Sequence, residues 1–143
     1  MFFIGQRERE LQRVGIWFEG NELHVLMRDQ SVGFTDTYGY LVDFVAIPRA
    51  GLNIITSTTE SSAVGWDRFT HGAHPGTDFV ITGWDLQFLN GDHEISAIGV
   101  DRRPDFGSNE FQVLFSDKNV DDPFMWRVNW AHVGPMVLAP PNG

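Results

Sequence analysis

The chain has 143 residues, 42% hydrophobic and 20% charged, with no cysteine and a formal net charge of -9 at pH 7. That length suits one domain with its own core, and the composition is that of a globular protein rather than a disordered one. The missing cysteines exclude disulfides, a thiolate zinc site and a cysteine nucleophile, while ten basic residues against nineteen acidic ones argue against nucleic acids and anionic membranes as partners. Neutral ligands, cations and basic protein surfaces stay open.

Residues 1–4 (MFFI) are apolar but too short for a signal-peptide core, and Arg7-Glu8-Arg9-Glu10 follows at once. No stretch reaches the roughly 20 apolar residues of a membrane span. The expectation is a soluble chain without a signal peptide; the compartment, whether cytoplasm or a secreted or virion assembly, stays open. Residues 6–13 read either as a two-turn surface helix or as a charged edge strand, and the strand is preferred because edge charges discourage unwanted pairing. Residues 16–27 form a hairpin around a turn at Gly20-Asn21. A polar loop over 30–37 leads to an apolar strand at 38–47, stopped by Pro48. From 49 to 76 the pattern dissolves into a long excursion. It holds the polar tract Ser57-Thr58-Thr59-Glu60-Ser61-Ser62, with short apolar strands at either end.

The alternation returns at 79–133. Val80, Thr82, Trp84, Leu86 and Phe88 are spaced to share one face of a strand; residues 94–100 make the next. Phe111, Val113 and Phe115 point one way in a third, and Phe124, Trp126, Val128 and Trp130 in a fourth, with Arg127 and Asn129 on its other side. This period of two, with twelve Phe and five Trp, predicts an all-β chain: a single-domain antiparallel β-sandwich of about seven strands. An extended N-terminal segment (1–13) and a proline-bearing tail (134–143) flank it.

Polar residues collect in the turns of this block. Asn90-Gly91-Asp92-His93-Glu94 is first of all a tight turn, because both Asn and Gly tolerate positive φ. It also presents carboxylates and an imidazole at a loop tip. Asp117-Lys118-Asn119-Val120-Asp121-Asp122 starts like a calcium loop but has Asp where an EF-hand needs its central glycine and Val128 where it needs glutamate. No cofactor is expected; calcium is the ion these ligand types would admit, through a looser site sharing Asp92 or Glu94. His71 and His74 lack a helix and further ligands for zinc. His24 and His132 read as strand histidines at the core edge. Trp66, within Gly65-Trp66-Asp67, is expected in the core because tryptophans are usually covered. There is no Gly-x-Ser-x-Gly elbow and no phosphate-cradling glycine loop, and nothing marks a pair of carboxylates for acid–base work. The chain is therefore expected not to be an enzyme.

The order of pieces in 79–133 resembles the H-type lectins. They carry a Val-x-Leu-x-Gly-x-Asp-like strand, here Val80-Ile81-Thr82-Gly83-Trp84-Asp85-Leu86, then an alternating strand, a linker, an aromatic strand and a tryptophan-bearing closing strand. That resemblance implies a small antiparallel sandwich that assembles as trimers and binds a sugar. The family's aromatic–histidine pair between the last two strands is replaced by Asp117-Lys118-Asn119, and its arginine by Glu94 or Ile95. The function expected is recognition of a neutral glycan or similar surface ligand through loops bearing Asp92, His93, Asp117, Asn119, Asp121 and Asp122. The alternative is a structural subunit of a phage particle, injection device or filament, whose terminal arms contact neighbouring copies. Either way a homo-oligomer is expected.

Overall fold

The computed structural model of the protein describes residues 10–29, 41–72, 74–102, 109–117 and 122–136. Nine strands run through them: β1 (Glu10–Leu11), β2 (Arg13–Glu19), β3 (Glu22–Arg28), β4 (Leu52–Val64), β5 (Trp66–Thr70), β6 (Asp78–Phe88), β7 (His93–Arg102), β8 (Glu110–Asp117) and β9 (Pro123–Pro135). They form an antiparallel sandwich, with β1-β7-β8-β5 in a four-stranded sheet and β4-β9-β6-β2-β3 in a five-stranded one. No helix long and apolar enough to cross a membrane is present among the described residues.

The alternation read in the sequence makes the core. In β8, Phe111, Val113 and Phe115 are buried; in β9, Phe124, Trp126, Val128 and Trp130 are. Rings from the two sheets meet across the gap: Phe88 stacks on Phe115 and Phe79 on Phe111, each pair with centroids 4.0 Å apart, and Phe69 lies 5.2 Å from Trp126. Each fully buried side chain of this size stabilises the fold by roughly 1.5–3 kcal/mol before conformational entropy is set against it. The two sheets are linked by chain crossings. At Gln12 the chain passes from β1 in one sheet to β2 in the other, tied by Gln12 N–H to the Arg28 carbonyl (2.8 Å) and by Phe88 N–H to the Gln12 carbonyl (2.8 Å). At Gly65 it turns from β4 into β5 with φ of 68°, a left-handed conformation that glycine adopts without steric cost, and the Gly65 carbonyl accepts from Phe115 N–H.

Three expectations are corrected. The tract at 52–64 is no excursion but the thirteen-residue strand β4, paired with β9 along its whole length. The positions opposite the buried row of β9 are small: Ser57 pairs with Trp130, Thr59 with Val128, Ser61 with Trp126 and Ala63 with Phe124, and Ser57 and Ser61 stay exposed. The Trp130 indole N–H donates to Thr59 Oγ1 at 3.0 Å, so a hydroxyl belongs on this inner face. Conversely, the apolar stretch expected as a strand is irregular over 41–47, with Leu41, Phe44, Val45 and Ile47 exposed, because β-propensity is realised only where a neighbouring strand is there to pack against; positions 38–40 lie outside the described residues. In β6 a bulge between Ile81 and Gly83 changes the facing, so Phe79 and Ile81, not Val80 and Thr82, pack beside Trp84, Leu86 and Phe88.

The strand reading of the N-terminal segment holds for its described part, 10–13, and the 16–27 hairpin is formed by β2 and β3 with Gly20 at φ 61°. Residues 6–9 and 137–143 lie outside the described residues, while Gly134 and Pro135 complete β9.

Candidate functional site

The turns bring part of the sequence-predicted set together. His93, the first residue of β7, points Nδ1 at Asp122 Oδ2 (3.1 Å) and Asp117 Oδ2 (3.4 Å). Its Nε2 lies 3.1 Å from Asn90 Oδ1, and the Asn90 amide N–H₂ donates to the other Asp122 oxygen. The ring packs at 4.7 Å from buried Phe88. Asp92 sits half-buried in the turn before β7. Asn119 and Asp121 lie outside the described residues.

A groove lies elsewhere, on the outer face of the five-stranded sheet. It measures about 570 Å³ and is walled by Arg13 and Trp17 of β2, Asp85 of β6, Arg127 and Asn129 of β9, and Thr58 and Glu60 of β4. Strand register explains the grouping: Gly15, Asp85, Arg127 and Glu60 stand in one cross-strand row, and Trp17, Gly83, Asn129 and Thr58 in the next. Two glycines stand in these rows. A side chain at Gly83 would press on the backbone of Trp17, and one at Gly15 on Asp85.

Charges in the groove are matched in pairs. Arg13 grips Asp85 through both carboxylate oxygens, with Nε to Oδ1 at 2.9 Å. This hydrogen bond, helped by the charge of Asp85, raises the Arg13 guanidinium above its ordinary range. Arg127 donates to Glu60 Oε2 from Nε at 3.0 Å and lies 2.9 Å away through its terminal nitrogen. Thr58 Oγ1 donates to Asn129 Oδ1 at 2.9 Å. Trp17 stacks flat on His24, centroids 5.4 Å apart and planes 7° from parallel. Two cations, two anions, an amide, a hydroxyl and an indole therefore share one concave surface with no excess charge.

A third polar cluster is built into the wall of the core. His132 is 3% exposed; its Nε2 lies 3.1 Å from His71 Nδ1 and its Nδ1 3.0 Å from Thr77 Oγ1. Thr77 donates to the His74 carbonyl (2.6 Å), so its oxygen accepts from His132 Nδ1–H. Burial first, then the neighbouring His74, holds His132 below the ordinary 6.5 of an imidazole. The expectation of a core-edge His132 is met, whereas Trp66, expected inside, is 51% exposed. Its neighbour Asp67 points the other way and accepts from the Trp126 indole N–H at 2.8 Å.

Among these groups the sequence pointed to the turn cluster and missed the groove. The signal for it was present in the outward placing of Arg127 and Asn129 on β9, but their partners Arg13, Glu60 and Asp85 are brought alongside only by sheet order. Comparison with family models, with curated proteins and with solved structures gives no match to this chain, so the reading of its function rests on the geometry of the site.

Proposed function

We propose that the chain is a non-enzymatic recognition module that holds a neutral polyhydroxylated ligand, a glycan, in the groove of its five-stranded sheet. The observation that carries this reading is the charge-balanced lining. Arg13 with Asp85 and Arg127 with Glu60 are held in fixed bidentate or doubled contacts, offering donors and acceptors for hydroxyls while adding no net field that would select an ion. Trp17 supplies an apolar wall against which the C–H face of a sugar ring stacks. The groove takes over the role expected of the loops. In a glycan array followed by calorimetry, Trp17→Ala and Asp85→Asn are expected to weaken binding at least about tenfold, on the order of 1.4 kcal/mol. An array without a hit, or a hit indifferent to both substitutions, overturns the reading.

A second reading, as a subunit of a larger assembly, is favoured by one feature. Leu41, Phe44, Val45 and Ile47 are exposed together, Val45 by 86%, and Phe18 sets its edge against Phe44 at 6.2 Å. Such a strip suits contact with neighbouring copies. Light scattering of the full chain is expected to show an oligomer that Phe44→Ser with Val45→Asp disperses; a concentration-independent monomer excludes this reading.

A further inference from the structure

The turn cluster carries an inference that is independent of the groove and shares no residue with it. Asn90 fixes the chemistry. Its amide N–H₂ donates to Asp122 Oδ1, so its carbonyl oxygen faces His93 Nε2, which must carry the ring proton. In the neutral ring Nδ1 is then a bare lone pair, aimed at Asp122 Oδ2 at 3.1 Å and Asp117 Oδ2 at 3.4 Å. These three donor atoms, one imidazole nitrogen and two carboxylate oxygens, lie within 4.8 Å of one another.

We propose that a divalent transition-metal ion is held by His93 Nδ1, Asp117 Oδ2 and Asp122 Oδ2. The site is sheltered: the side chains of His93, Asp117 and Asp122 are only 19%, 9% and 15% exposed. The two distances from Nδ1 also fit: ligands about 2.1 Å from a metal stand roughly 3.0 Å apart in octahedral and 3.4 Å apart in tetrahedral geometry. An imidazole among the donors favours zinc and its neighbours over calcium, which takes six to eight oxygens. Asn90 acts as the outer partner that orients the imidazole through Nε2 and one carboxylate through Oδ1, and Phe88 fixes the plane of the ring. Three protein ligands leave at least one position for water or a ligand oxygen.

The test is calorimetric titration of the full-length, tag-free chain with zinc chloride, with calcium chloride as a second arm. One zinc ion per chain is expected, with affinity reduced at least tenfold by His93→Gln and by Asp122→Asn, unchanged by His74→Ala, and not displaced by millimolar calcium. Circular dichroism verifies that each variant is folded. Should Asp122→Asn fail to fold, His93→Gln together with the His93 imidazole resonances of the unaltered chain decides: a zinc-dependent shift of those resonances supports the site. No zinc binding, binding untouched by His93→Gln, loss of binding in His74→Ala, or preference for calcium overturns it.

Discussion

Gly83 and Trp17 face each other across the β2–β6 pair so closely that a methyl group on Gly83 would stand 2.8 Å from the Cα and Cβ of Trp17. Backbone cannot yield as a flexible side chain would, so Gly83→Ala is expected to destabilise the fold by about 1–3 kcal/mol. Gly99 in β7 has open space where its Cβ would go, and Gly99→Ala should stay within about 0.5 kcal/mol; urea denaturation of the two variants compares them directly. His132 sets a pH dependence of definite sign. Burial and His74 lower its folded value below the 6.5 it regains on unfolding. Above 6.5 both states are neutral there and pH has no leverage. As pH falls below 6.5 the unfolded chain takes up a proton that the folded chain refuses, so stability declines until the lower, folded value is passed. The urea midpoint should therefore be lower at pH 5.5 than at pH 7.5, and His132→Gln should shrink the difference. Single residues also mark the limit of reading a site from sequence. His93 and Asp122 stood out because each lies in a polar run within its own turn, although the two turns are distant along the chain. Arg127 and Glu60 did not, since nothing local says that residues so far apart share a row.

At the scale of elements, legibility followed the size contrast between faces. The strands β8 and β9 carry large apolar residues at every second position, and both are placed as their spacing predicts. The strand β4 hides the same period, because its residues opposite the buried row of β9 are serine, threonine and alanine, and a hydropathy pattern reads small polar residues as loop. The bulge in β6 misleads differently, by inserting one residue into a sound alternation. Thr82 is that residue, with Phe79 and Ile81 facing the core before it and Trp84, Leu86 and Phe88 after it. Its removal should leave every inward side chain inward. Deleting Thr82 is accordingly expected to give a folded chain with its near-UV circular dichroism kept, whereas deleting Asp85 sets Leu86 and Phe88 out of phase with Trp84 and should abolish cooperative unfolding.

The whole molecule is two sheets laced together by a chain that changes layers at Gln12 and Gly65 and again between β5 and β6, β6 and β7, and β8 and β9, so neither layer is contiguous in sequence. The class of fold follows from patterning alone, because aromatic residues alternating over several strands have few ways to be covered other than by a second sheet. Strand order does not follow, since β4 joins β9 and β1 joins β7 through pairings distant along the chain. This topology also leaves β4 at the border of its sheet, bonded to β9 on one side and, among the described residues, to β5 only through Val64 and Trp66 on the other. In an antiparallel border strand every second amide points outward to water. Amide hydrogen exchange along β4 should therefore rise and fall with a two-residue period, while β9, flanked by β4 and β6, exchanges slowly throughout. Uniform protection along β4 would reveal another chain lying against that border, and the exchange pattern thus reports on association without any ligand being known.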